Sequence, residues 1–442
     1  MTRDMRRVLM VSPHFPPDTS AGTHRVRLIA PHLPAFGFEP TVLTVDPRDY
    51  EGRLDWDLEK LVPPELRVIR TRAWAPRWTR MMGVGDLGLR AYWGLRRAAL
   101  DLLTHETFDC VFITIYPTYP ALMGPVLKRR ASLPLVLDYQ DPWVGSWGQT
   151  TGGGTNGTPD LKSRLSRALA LRLEPVAVRA ADAITAVSEG TFRAVQARIR
   201  AAKDTPCFEI PIGSDSGDFE KLRAQARPNP YFDAHDGRLH ISYVGTLLPL
   251  GFETLRAVLE AVGCLRERKP EAYARLRLHF YGTSNQTTEN APARVLPEAE
   301  RLGVADVVDE RPARVDYLDA LNVLANSSAI LLMGSSEAHY TASKLYPALM
   351  AERPLLAVFH EESSVVSILR RAGEAPGIRL VTYNHERRAP QRVDAIYEQL
   401  EALCDQPGET VAGADPRVVE EVSARALAGR LAGVFDRVMR KP

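Results

Sequence analysis

Three stretches of this 442-residue chain carry residues whose types and spacing can do chemistry. The first runs from Ser343 and Lys344 through Pro347 to Ala357. It follows an apolar run at 329–333 and a loop of small polar residues at 334–342, and a second apolar run, 354–359, lies at its end. Strand, loop, short helix and strand is one repeat of a parallel sheet, and ligands collect at the carboxyl ends of such strands. A helix start behind the loop offers free N–H groups and a positive dipole end to an anion such as phosphate. In the second stretch, Ser12 to Arg25, Gly22 opens a helix behind a proline-rich loop. The N–H groups of Gly22 and Thr23 are thereby placed to meet a ligand, a plain β-to-α turn being the competing reading. In the third, Asp138 and Asp141 stand three residues apart at a strand end, before Pro142 stops regular structure. Two carboxylates there suit catalytic work, against the competing reading of a turn cap beside a packed Trp143.

These residues need a scaffold, and strand-like and helix-like patterns alternate through most of the chain. The first half reads as strands at 8–12, 39–44, 110–115, 135–139 and 183–187, with helices at 23–36, 121–131 and 161–181. The polar segment 214–237, with Pro228 and Pro230, reads as a linker. Alternation then restarts, with strands at 239–245, 276–282 and 378–381. Helices follow at 252–268, 289–302, 316–325 and 363–372, and an amphipathic helix at 418–439 closes the chain. The expected fold is α/β, with two doubly wound Rossmann-like domains. The expected division is 1–213, a linker 214–237, 238–415, and a segment 416–442 that packs back on the first domain. A length of 442 residues fits two cores rather than one.

Composition removes several classes. A net charge of +2 gives no general pull toward nucleic acid. The four cysteines are scattered with no C-x-x-C pair, so a structural zinc site is not expected and reduced thiols in a cytosolic compartment are. The dinucleotide pattern G-x-G-x-x-G is absent, which disfavours a nicotinamide enzyme. The apolar run after the basic N-terminus, 8–11, is too short to span a membrane.

The segment Ser343-Lys344-Leu345-Tyr346 through Ala351-Glu352-Arg353-Pro354-Leu355-Leu356-Ala357 resembles the nucleotide-sugar segment of family-4 glycosyltransferases. So do the loop before Arg25, the Asp138-Tyr139-Gln140-Asp141-Pro142-Trp143 run, Tyr243-Val244-Gly245-Thr246, the Asp182-to-Glu189 run, and Ile210-Pro211-Ile212-Gly213-Ser214-Asp215. They fall in the family's order over nearly the whole chain. The resemblance implies a GT-B fold, two domains facing across a cleft. It also implies retaining transfer of a sugar from a nucleoside diphosphate sugar, UDP- or GDP-linked, to a glycan or lipid-linked acceptor hydroxyl. No cofactor and no metal are implied. It assigns Gly22, Thr23, Arg25, Gly245, Thr246 and Lys344 to the donor diphosphate, Asp141 and Asp138 to catalysis, and Glu337, His339 and Ser343 to the donor-sugar and ribose loop. The chain departs from the family at two places. Pro347 stands where a glutamate holds the ribose hydroxyls, and Leu250 stands where a lysine holds the diphosphate. A nucleotide-sugar epimerase and a catalytically weak binding or scaffold protein in polysaccharide assembly are the alternatives.

A further feature lies at 67–101, where eight arginines stand against Asp86 and Asp101, interleaved with Trp74, Trp78, Met81, Met82, Tyr92 and Trp93. Basic plus aromatic character suits an anionic lipid surface; a solvated helix with a core face is the competing reading. A cytoplasmic protein, peripheral at the inner face of the membrane, is the expectation.

Overall fold

The computed structural model describes residues 5–81, 85–144, 161–284, 286, 290–336, 343–373, 375–405 and 415–440. The chain divides into two compact units, Met1–Ile212 with Ala424–Pro442, and Gly213–Ser423.

Among the described residues the first unit holds a seven-stranded parallel sheet. Its strands are β1 (Arg6–Val11), β2 (Phe38–Val45), β3 (Arg67–Thr71), β4 (Cys110–Ile115), β5 (Leu135–Tyr139), β6 (Ala183–Ala186) and β7 (Cys207–Glu209), in the order β3-β2-β1-β4-β5-β6-β7. Every residue of β4 and β5 is buried. Continuous apolar runs of this kind are what a strand covered on both faces requires. One face is covered by the helices Leu87–His105, Gly124–Ala131 and Leu161–Val178, whose inward residues Ala91, Leu95, Leu127, Ala170 and Ala177 meet Val111, Ile113 and Leu137. The other face is covered by Thr23–Ile29 and Ala424–Met439. Residues Leu427, Ala428, Leu431, Val434, Phe435 and Val438 form the apolar stripe of that last helix. Phe435 is fully buried, with its ring centroid 5.4 Å from Phe38 and 6.0 Å from Phe112, edge to face with both.

The second unit holds β8 (Leu239–Val244), β9 (Leu276–Tyr281), β10 (Val308–Arg311), β11 (Ala329–Met333), β12 (Leu355–His360) and β13 (Ile378–Tyr383), in the order β10-β9-β8-β11-β12-β13, all parallel. The helix Phe252–Arg268 buries Leu255, Val258, Leu259, Val262 and Leu265 in its core.

Two expectations change. Segment 214–237 is not a free linker, because it belongs to the second unit. Its helix Ser216–Ala224 is capped by Asp215, and Asp218 accepts a 2.9 Å hydrogen bond from Tyr317. The Asn322 amide donates to the carbonyls of Arg227 and Pro228, and Arg227 pairs with Asp319 at 2.8 Å. The closing helix is also two helices, Pro416–Glu421 and Ala424–Met439, and the chain passes from the second unit to the first between them.

Because Phe435 joins the last helix to the middle of the sheet, Phe435→Ala is expected to destabilise the first unit by about 3–5 kcal/mol. Denaturant titration measures this; a loss below about 1 kcal/mol would show that the helix does not hold the sheet.

Candidate functional site

In each sheet the strand order turns back on itself once. In the first unit this happens between β1 and β4, and in the second between β8 and β11. Loops leaving such neighbours run to opposite faces and leave a crevice at the carboxyl ends.

In the second unit β8 ends at Val244, and Gly245 follows with φ +124°, a conformation that side-chain-bearing residues rarely adopt. Its N–H is held by the Tyr281 carbonyl at 2.8 Å. A Cβ on Gly245 would lie 2.6 Å from Cε of Lys344, so any larger residue here would displace the lysine side chain as well as strain the backbone. Lys344 follows β11 and immediately precedes the helix Leu345–Met350. Its Nζ donates to the Thr246 carbonyl at 2.7 Å and to the Tyr243 hydroxyl, and it stands 4.2 Å from the Tyr243 ring centroid. Among the described residues none of these partners is a carboxylate. Burial pulls the Lys344 ammonium down to about 7. The loop after β11 is tied to the loop after β8, with the N–H of Ser336 donating to the Leu250 carbonyl at 3.0 Å. Tyr383 fixes the same loop by donating to the Ser335 carbonyl at 2.8 Å. Leu250 is 48% exposed.

Pro347 lies in the first turn of the helix that begins at Leu345, where a missing N–H costs no intrahelical bond. Ser343 is exposed, and its carbonyl accepts from the Tyr346 N–H at 3.3 Å. Glu337 and His339 lie outside the described residues.

In the first unit the loop after β1 brings His14 against Tyr116 and Tyr50, with ring centroids 5.3 and 6.2 Å away. Nδ1 of His14 lies 2.6 Å from the Asp18 carboxylate, which also accepts from Thr23 at 3.1 Å and from Ser20. Burial raises the Asp18 carboxyl, but the hydrogen bond and charge of His14 and the two hydroxyls outweigh it, and the net shift is downward. Gly22 sits beneath Tyr116, where a Cβ would meet the ring at 2.6 Å.

Three residues assigned to the diphosphate or to catalysis prove to be structural. Arg25 is 1% exposed and Asp138 fully buried. Nε and Nη2 of Arg25 donate to the Asp138 carboxylate, and Nη1 donates to the carbonyls of Ile210 and Pro211 at 2.6 and 3.0 Å. Asp138 accepts a further bond from Thr185 at 2.6 Å. A fully satisfied buried pair has no face left for a ligand. Thr23 is likewise buried, with its N–H bonded to the Ser20 carbonyl and its hydroxyl to Asp18. Asp141, one turn beyond β5, keeps an exposed surface, and desolvation by the surrounding protein raises its carboxyl above the usual range.

Sequence reasoning missed Asp18, Tyr50 and Tyr243. The spacing of His14 and Asp18 in a short loop was the available signal for the first. Tyr243 was concealed inside an ordinary buried strand pattern. Glu310 was missed as well: its carboxylate accepts N–H bonds from Arg294, Val295 and Leu296 at 2.8–3.1 Å and a hydroxyl bond from Thr283. Among the described residues no group of three or more His, Cys, Asp or Glu side chains is placed to hold a metal ion.

Residues 21–206 match the model of the glycosyl transferase 4-like domain. In shape the chain is similar to Anabaena HepE, solved with UDP and glucose, with a TM-score of 0.57 at 15% identity over 98% of this chain and 100% of that one. It is also similar to the UDP-forming trehalose-phosphate synthase of Burkholderia xenovorans, with a TM-score of 0.56 at 11% identity over 99% of both chains. The UDP-GlcNAc 2-epimerase of Methanocaldococcus jannaschii gives a TM-score of 0.50 at 11% identity over 98% of this chain and 100% of that one. No curated protein matches the chain by sequence. At these identities the structural likenesses speak for the fold, which is GT-B, with two Rossmann-like units. The match assigns a glycosyl transferase 4-like domain to residues 21–206, and the structural likenesses add the fold.

Two outcomes follow from the geometry. Asp138→Asn leaves Arg25 buried without its counter-charge and is expected to cost the first unit about 3–5 kcal/mol, read by denaturant titration; an unchanged midpoint would show that the pair holds nothing. For Lys344 the folded value of about 7 lies below the ordinary lysine value of 10.5, so between these pH values the unfolded chain binds more protons. Stability of the second unit therefore rises from pH 7 toward pH 10 relative to Lys344→Met, and equal slopes would show the ammonium to be solvated.

Proposed function

We propose that the protein moves a sugar from a UDP- or GDP-linked donor to a hydroxyl of a glycan or lipid-linked acceptor, with retention at the anomeric carbon. The reaction would serve bacterial polysaccharide or glycoconjugate assembly at the inner face of the membrane. The observation that carries this reading is Lys344, a cation held against Gly245 and the Thr246 carbonyl at the reversal point of the second sheet by partners that bear no charge. Such a group suits a diphosphate leaving group, whose growing charge it stabilises without having to reorganise. Gly245 lets the phosphates approach the backbone, and the Thr246 hydroxyl adds a donor. In the first unit Gly22 contributes backbone and Asp141 meets the acceptor or the transferred sugar. No cofactor or metal enters this scheme. The ribose takes a partner other than Pro347, and Glu337 is the residue assigned to it.

Thermal shift with a panel of sugar nucleotides, followed by assay of nucleotide release, tests the reading. Stabilisation by a UDP- or GDP-sugar that Lys344→Met abolishes is expected. Absence of any shift would overturn it, and conversion of the donor with no nucleotide released would identify an epimerase instead.

Charge at the same site generates two further outcomes. Donor affinity is expected to fall by up to about tenfold per pH unit above pH 7, as the free ammonium loses its proton, and a flat profile would remove Lys344 from the diphosphate. Leu250 is exposed, so Leu250→Lys adds a cation without opening a cavity, and donor binding is expected to tighten by roughly tenfold. Calorimetric titration measures both.

A further inference from the structure

The helix Leu161–Val178 carries two stripes. Ala170, Glu174, Ala177 and Val178 are buried at helical spacing and face the sheet. On its opposite side Leu165, Ala168, Leu169, Arg172 and Val176 repeat with the same period and are all exposed, Leu165 by 62%. Glu174 is the sole acid between residues 161 and 180, and it is taken inward by Tyr139 and Arg198. The outward side is therefore apolar and basic with no counter-charge of its own, framed by Arg164 and Arg179.

A second patch of the same character lies in the same unit. Trp78, Met81 and Trp93 are 63%, 81% and 52% exposed. The guanidinium of Arg77 stands over the Trp78 ring at 5.5 Å and that of Arg96 over Trp93 at 5.4 Å. Arg80 and Arg97 lie beside them, partnered by Glu51 and Asp101. The helices Leu87–His105 and Leu161–Val178 bury their inner sides in one core against one face of the sheet, so their outer sides turn the same way. Not all of the basic stretch takes part, because Arg90 is buried and donates to the carbonyls of Trp74 and Asp49.

Apolar surface rimmed by arginines marks a binding face. Leucine and tryptophan side chains at the level of arginine heads suit a medium that is apolar below and anionic above, with the arginine stems reaching up to the charge. We propose that this face of the first unit docks on an anionic lipid bilayer, with the helix Leu161–Val178 lying in the headgroup layer beside Trp78, Met81 and Trp93. The docking stands on surface composition alone and adds to the transfer reaction the place where a lipid-linked acceptor is met.

Co-sedimentation of the full chain with phosphatidylcholine vesicles, with and without phosphatidylglycerol, tests it. The protein is expected to pellet only with the phosphatidylglycerol vesicles at low salt, and to be released at roughly 0.5 M salt, where screening cuts the field to a few Å. Leu165→Ser with Leu169→Ser is expected to weaken binding by about tenfold or more while thermal unfolding stays as in the parent. Trp78→Ser with Met81→Ser supplies a second reading should the first pair disturb the helix. The proposal is overturned if the parent stays in the supernatant at low salt, or if both variants pellet as it does. It is overturned too if a dimer, lost in the leucine variant, forms in place of vesicle binding, since the occupant is then a second copy. Stabilisation by sugar nucleotides is measured separately, so a failed donor reading leaves the vesicle result standing.

Discussion

A parallel sheet must send each crossover to one face or the other, and where the direction of winding changes, two neighbouring loops are forced apart. Both units of this chain are arranged around that constraint. In the first, the reversal between β1 and β4 leaves room for the His14 loop, Gly22 and Tyr116. In the second, the reversal between β8 and β11 brings Gly245 and Lys344 into contact although 99 positions separate them in sequence. The strands supply rigidity and the loops supply chemistry, so the position of the site follows from topology before any catalytic residue is considered.

The two units treat charge in opposite ways. Arg25 and Asp138 are sunk in the first unit and satisfied by each other, by Thr185 and by two carbonyls. That pair ties the helix after β1 to β5, β6 and the chain leaving β7, and its work is structural. Lys344 in the second unit is surrounded by a phenol, a ring face and a carbonyl, which orient it but do not neutralise it. A cation so placed keeps its field for whatever anion arrives, and the cost of holding it appears as its lowered proton affinity.

The fold was readable because its central strands are unbroken apolar runs; β4, β5, β11 and β12 left little choice. The strands that escaped notice, β3, β7 and β10, lie at sheet edges, half exposed and rich in polar residues, where neither alternation nor an apolar run develops. The segment 214–237 reads as a linker because its ties to the second unit are made by single polar groups such as Asp218 and Asn322, which leave no hydrophobic pattern. Gly245 and Lys344, which the fold brings together, could be named from local wording. Whether an arginine or an aspartate in such a motif faces a ligand or a partner in the core depends on residues far along the chain, and so the burial of Arg25 and Asp138 could not be read locally.

The helix Ala424–Met439 completes the first unit from the far end of the chain. Translation proceeds in the other direction. While the ribosome makes the second unit, Val8, Phe38, Phe112 and Val136 have only the cover that the helix Thr23–Ile29 and its neighbours give them. More than two hundred residues must emerge before Leu431 and Phe435 arrive to cover them. A nascent chain of this design carries a partly covered hydrophobic face through roughly half of its synthesis, and the helix Ala424–Met439 is the step that completes the first unit.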